Sequence, residues 1–125
     1  VEDSNGNSLV LLYEEGSFRA LFTGDTTKEQ EQKMLAQQVA GQIDLYKTAH
    51  HGSNYSNSKE WLSYLSPQVS VVSCSQKNRY GHPGKEAVER IKETGSRLYY
   101  TMKSGQITVG NDKRGIWVKE YVRFP

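Results

Sequence analysis

Residues Phe18–Ser53, FRALFTGDTTKEQEQKMLAQQVAGQIDLYKTAHHGS, decide the fold. An apolar stretch, Phe18–Phe22, stops at Thr23-Gly24-Asp25. A polar helical stretch follows, and a second apolar stretch, Ile43–Thr48, stops at Ala49-His50-His51-Gly52-Ser53. Strand, helix and strand in that order are the unit of a layered α/β fold. Thr26-Thr27-Lys28-Glu29 reads as a capping box, with Thr26 at the N-cap and Glu29 three residues on. It opens a helix to about Val39, which Gly41 ends.

The alternation extends outward. Upstream, Ser8–Tyr13 is a continuous apolar run, as expected of a strand buried on both faces. Glu14-Glu15-Gly16-Ser17 turns it into a hairpin with Phe18–Phe22. Downstream, the polar loop Asn54–Asn57 precedes a helix over Ser58–Leu65, with Trp61, Leu62 and Leu65 on one face and Pro67 as its stop. Val69–Cys74 is a valine-rich strand. Pro83 suits the first position of a further helix that carries Ala87, Val88 and Ile91 inward and closes at Gly95. Arg97–Thr101, Gln106–Val109 and Ile116–Phe124 are strands, with turns at Ser104-Gly105 and Asn111–Gly115. The predicted order is β-β-α-β-α-β-α-β-β-β, an α/β chain with a mixed sheet and flanking helices.

Composition narrows the function classes. The 125 residues suit one domain, and 35% are hydrophobic with a mean hydropathy of −0.74, polar for a self-sufficient globule. No run approaches the ~20 apolar residues of a membrane span, and Glu2-Asp3-Ser4-Asn5-Gly6 has no apolar segment of a signal peptide. The expectation is a soluble domain, residues 1–125, cut from something larger. A single cysteine, Cys74, excludes an internal disulfide and a cysteine-cluster zinc site; within its apolar run it is expected to be buried. The net charge of +2 is divided unevenly, with 8 acidic and 3 basic residues in 1–45 against 6 and 13 in 46–125. Lys77, Arg79, Lys103, Lys113 and Arg114 form a basic flank suited to a polyanion or phosphate ester.

The unusual residues fall at strand ends. Asp25 follows one strand, His50 and His51 the next, and His82 the loop after the third; these include every histidine in the chain. Ligands of open α/β sheets sit outside the carboxyl ends of strands. Each motif alone has an ordinary explanation: a turn with an N-capping aspartate, a solvated turn, a helix start. Together they bring one carboxylate and two or three imidazoles to one rim, and Asp oxygen with His nitrogen suits zinc, manganese or iron.

Asn7-Ser8-Leu9-Val10-Leu11, Thr23-Gly24-Asp25, Ala49-His50-His51-Gly52-Ser53 and Asn78-Arg79-Tyr80-Gly81-His82-Pro83, in this order, resemble the C-terminal half of a metallo-β-lactamase-fold domain. More narrowly they resemble the ComEC type, the competence proteins of bacterial DNA uptake. The resemblance runs from about Asn5 to Val109. It implies an αββα sandwich with one or two metal ions at the sheet rim. By the resemblance Asp25 matches a carboxylate bridging two metals, and His50 or His51 matches a late histidine ligand, His50 first. His82 matches a further imidazole acting as ligand, proton donor or phosphate contact, while Ser53, Asn78 and Arg79 lie near the substrate phosphate. The family's His-x-His-x-Asp-His loop is absent, so the ligand set is half complete and the isolated chain is expected to be inactive.

The implied function is metal-dependent hydrolysis of a phosphodiester, DNA first, by a parent protein. The resemblance further places the domain on the extracytoplasmic side of a bacterial membrane protein with a transmembrane region. A hydrolase of small esters or phosphorylcholine with the same fold, and a non-catalytic binding or assembly domain, are the alternatives. A half sandwich should also expose an apolar sheet face, with Leu9, Leu11, Leu21, Val71 and Ile107 on it or in the core beside it, and self-associate.

Overall fold

A computed structural model describes residues 9–73, 83–101 and 106–121. They form a five-stranded sheet, β1 (Leu11–Glu15), β2 (Phe18–Phe22), β3 (Leu45–Lys47), β4 (Val69–Val72) and β5 (Arg97–Tyr100), and a separate hairpin of β6 (Ile107–Asp112) and β7 (Gly115–Glu120). Between strands lie α1 (Lys28–Ala36), α2 (Lys59–Leu65) and α3 (Lys85–Glu93), and a 3-10 turn, Ala49–His51, follows β3. The element order matches the one expected from the sequence.

Within the large sheet the strands stand in chain order. β1 is antiparallel to β2, and β2 through β5 are parallel. Three successive crossovers in one direction join the parallel strands, and parallel crossovers of one hand set their helices on one face of a sheet. That face holds the core: Leu21 and Tyr46 from the sheet, Ile43 before β3, Trp61, Leu62 and Leu65 from α2, and Ile91 from α3. Leu21, Tyr46, Ser70 and Leu98 are register partners across β2–β5 and share this face. The hairpin lies at the opposite face, where Val109 and Asn111 line a hollow with Tyr13 and Phe18 and Arg97 Nη2 donates to the Ile116 carbonyl at 3.4 Å.

Several local expectations are corrected. β1 is exposed along its whole length instead of buried on both faces, because it is the terminal strand of the sheet; Glu14 and Glu15 belong to the strand, and only Gly16-Ser17 turn. The capping box is one residue later, with Thr27 as N-cap and Gln30 returning the bond; Thr26 instead closes the preceding turn through its amide and the Thr23 carbonyl. α1 stops at Ala36, short of Val39, with Gln37 as its C-cap. Pro83 stands outside α3, whose N-cap is Gly84. Val88 is only half-buried, while Ala87 and Ile91 are fully buried. The residues expected on an exposed apolar face or in the core beside it are not among these corrections: Leu21 is core, Leu9 and Leu11 are exposed, and Val71 and Ile107 are half-buried. The last hairpin turns on Lys113 and Arg114 alone. Cys74, Ser104 and Gly105 lie outside the described residues. No helix among the described residues is long and apolar enough to cross a membrane.

Candidate functional site

The parallel strands β2, β3 and β4 end side by side, and each releases its loop at the same edge. β2 leads into Thr23-Gly24-Asp25, where Thr23 is buried and its hydroxyl donates to the Lys47 carbonyl at 3.4 Å. That bond ties the start of the Asp25 loop to the end of β3. Gly24 takes a φ of +56°, and Asp25 stands exposed in this turn.

β3 leads into the double histidine. His51 has a φ of +52° and Gly52 one of +84°, and a non-glycine residue held there is conformationally costly. The exposed imidazole of His51 places Nδ1 2.5 Å from the Ser73 carbonyl oxygen at the end of β4. A carbonyl only accepts, so Nδ1 carries a proton, and in the neutral imidazole Nε2 then holds the lone pair. This backbone anchoring of one ring nitrogen is the usual support of a metal-ligating histidine. His50 belongs to the same 3-10 turn; its side chain lies outside the described residues.

Beneath this loop is a buried polar frame that the sequence reading did not single out. Asn57, fully buried with a φ of +60°, accepts at Oδ1 from the Tyr46 hydroxyl at 2.6 Å and the Ala49 amide at 3.1 Å. Its Nδ2 donates to the carbonyls of Ala49 and Ser53, both at 3.1 Å. Glu31 of α1, also fully buried, accepts from the amides of Asn57 at 2.7 Å and Ser58 at 2.9 Å. Burial raises the Glu31 carboxyl above its ordinary pKa, against those two amides and the Arg90 charge, which lower it. Burial, with the charge of Glu31, likewise raises the Tyr46 hydroxyl.

Arg90 of α3 fastens the same loop from the other side. Its Nε donates to the Asn57 carbonyl at 2.9 Å, and Nη2 to those of Asn54 and Ser56 at 3.0 Å. Asn54 repays α3: its Oδ1 accepts the Ala87 amide at 2.8 Å, the capping bond that Gly84 cannot make. Gly52 closes the joint. Its carbonyl accepts from the Gly84 amide at 2.8 Å, and a Cβ there would stand 2.7 Å from Pro83 Cβ.

The other candidates are placed unevenly. Ser53 is buried, and its Oγ accepts from the Tyr55 amide at 3.1 Å. Tyr55 itself stands 84% exposed beside it. Asn78, Arg79 and His82, and with them Lys77 and Lys103 of the basic flank, lie outside the described residues. Among the described residues no group of three or more His, Cys, Asp and Glu side chains is placed to hold a metal ion.

Comparison with known proteins places the chain in a lineage. No family model matches the chain. It is 33% identical over 103 residues to ComE operon protein 3 of Bacillus subtilis, covering 82% of this chain and 13% of the relative. The chain is homologous to one segment of competence-related proteins. Recombination protein 2 of Haemophilus influenzae is 33% identical over 84% of the chain and 13% of its own length. Competence protein ComA of Neisseria gonorrhoeae is 32% identical over 91% of the chain and 17% of its own. The chain therefore spans less than a fifth of the length of these curated relatives.

Proposed function

We propose that this chain is the C-terminal half of a metallo-β-lactamase-like αββα domain that hydrolyses phosphodiesters, with DNA as substrate, within a competence-related protein. The observation that carries the reading is His51: its Nδ1 is engaged by the Ser73 carbonyl, and its Nε2 lone pair is left for a ligand on the edge that also bears Asp25. The names of the relatives, competence and recombination proteins, favour DNA. Asp oxygen and imidazole nitrogen are donors that zinc and manganese accept. Asp25 and His51 would hold such an ion jointly with donors outside the described residues, where His50 and His82 are candidates. A bound divalent ion supplies a hydroxide near neutral pH and neutralises phosphate charge. The chain's own part is to orient: the Asn57 frame fixes the histidine loop, and the Ser73 carbonyl fixes the imidazole tautomer. His82 suits proton delivery to the leaving oxygen, since an imidazole titrates near neutrality. The domain then sits on the extracytoplasmic side of a membrane protein.

The test is hydrolysis of labelled DNA by the full-length protein supplied with zinc or manganese, beside a phosphorylcholine ester. Asp25→Asn and His51→Ala should lower both metal content and DNA cleavage, cleavage by about 100-fold or more, since even supporting residues of a metal site cost 10–100-fold. His82→Ala should slow cleavage about 10²–10⁴-fold with metal retained. Cleavage of the ester alone would move the substrate away from DNA. Unchanged metal content and activity in all three variants would leave a binding or assembly domain.

A further inference from the structure

We propose that the outward face of the β6–β7 hairpin is a stacking platform for single-stranded nucleic acid. That the polymer is DNA rests on the function proposed above; that it is single-stranded comes from the hairpin itself. β7 alternates strictly, with Trp117, Lys119 and Tyr121 exposed and Ile116, Val118 and Glu120 half-buried. Exposed residues two apart in a strand share a face, so this face runs aromatic, cation, aromatic. Trp117 is 43% and Tyr121 52% exposed, far more than their apolar rings warrant in a strand with a covered side.

The rings are held as well as exposed. Trp117 is the register partner of Gly110, and a Cβ at 110 would fall inside its indole. The glycine thus lets the indole lie against β6 with one face turned outward. Lys119 Nζ stands 5.0 Å from the Tyr121 ring centroid, which orders that ring and sets a cation beside it. Four residues along a strand span about 13 Å, so each ring takes its own base.

Charge agrees with a polyanion. Lys113 and Arg114 form the exposed hairpin tip. Asp112, the acidic residue on the platform face, has Oδ1 accepting the Arg114 amide at 2.8 Å, and Glu120 belongs to the opposite face. A platform of exposed rings with interleaved cations is how proteins hold unpaired strands without sequence preference. A paired duplex hides its base faces from such rings.

The experiment is titration of the protein with a thymidine 20-mer in EDTA, which removes hydrolysis, read by tryptophan emission and by anisotropy of the labelled oligonucleotide. Trp61 is fully buried, so quenching on binding reports Trp117. We expect quenching, weaker binding of a matched duplex, and a Kd raised about 5- to 100-fold in Trp117→Ala, with Trp117→Phe recovering most of the loss. Lys119→Gln, an exposed change that spares the hairpin, should flatten the slope of log K against log salt by about 0.7. The proposal fails if the 20-mer does not bind or binds without quenching. It fails equally if Lys119→Gln leaves the slope unchanged, or if Trp117→Ala dissolves a dimer without weakening the 20-mer. A 20-mer that binds with quenching but is not cleaved once zinc or manganese replaces EDTA would leave the platform standing and overturn only the function proposed above, so the two failures are told apart.

Discussion

Glu31 shows how far a residue's role can depend on partners remote in sequence. In the sequence it is one more charge on a polar helix, and Asn57 is one letter of a polar loop; neither carries an apolar period or a motif. Their contacts lie 26 residues apart for the Glu31–Asn57 bond and 33 for Arg90 to Asn57, so no local pattern encodes them. The positions of Asp25, His50 and His51 just beyond strands were legible because those strands are recognisable in the sequence. The buried carboxylate has a measurable signature. Its pKa is raised above the ordinary 4.5 by burial, so the folded state holds the proton longer than the unfolded chain. Its contribution is therefore greatest below pH 4.5 and is lost as pH rises through the raised value. Urea melts between pH 4 and 7 should show Glu31→Gln with a shallower decline than wild type. At pH 7 the variant should lose about 1–3 kcal/mol, because one amide oxygen serves only one of the two buried N–H groups. Parallel pH curves would mean that burial does not govern this carboxyl. Asn57→Ala, which strips four hydrogen bonds from the frame, should cost more, about 3 kcal/mol or above.

At the scale of elements, hydrophobic patterning and capping signals together located every strand and α-helix among the described residues but not their limits. Caps decided the limits. Thr27 took the N-cap expected at Thr26 because Gln30, and not Glu29, reaches back to its amide. α3 begins after Pro83 because its capping oxygen comes from Asn54, 33 residues upstream, which no inspection of the Pro83–Glu86 segment reveals. That borrowed cap couples the histidine loop to α3. Asn54→Ala should destabilise by about 1 kcal/mol, the usual worth of an N-cap, in thermal unfolding. Gly52→Ala should be worse, since it combines a φ of +84° with a Cβ 2.7 Å from Pro83. It should also shift the His51 ring resonances, because the carbonyl that receives Nδ1 belongs to Ser73, just beyond Val72, whose Cγ1 lies 3.3 Å from the same position. A Gly52→Ala variant with wild-type stability and unchanged His51 resonances would show that the joint is slack.

For the molecule as a whole, the two faces of the sheet are unequally finished. The helix face is closed by Trp61, Leu62, Leu65 and Ile91. On the other face Ala20 and Val69 are buried, yet their neighbours toward the edge are not: Leu11 is 54%, Tyr13 50% and Phe22 39% exposed. Leu11 pairs with Phe22 and Tyr13 with Ala20, so the three exposed side chains share one face and form a contiguous patch at the β1 edge. β1 is also a terminal strand of the sheet, with a backbone edge open to further pairing, which natural sheets ordinarily blunt with charge or proline. Glu14 and Glu15 blunt only the end nearest the turn. Burial of the patch would remove apolar surface at roughly 25 cal/mol per Å², enough to drive weak association. Sedimentation of the protein over a hundredfold concentration range should therefore show reversible self-association, accompanied by binding of a hydrophobic dye. Leu11→Lys should suppress both, because it sets a charge within the patch and beside the open edge without touching the core. Trp117→Ala should suppress neither, since its ring stands on the hairpin's outward face. A protein that stays monomeric and binds no dye would show that the patch is covered by the chain itself.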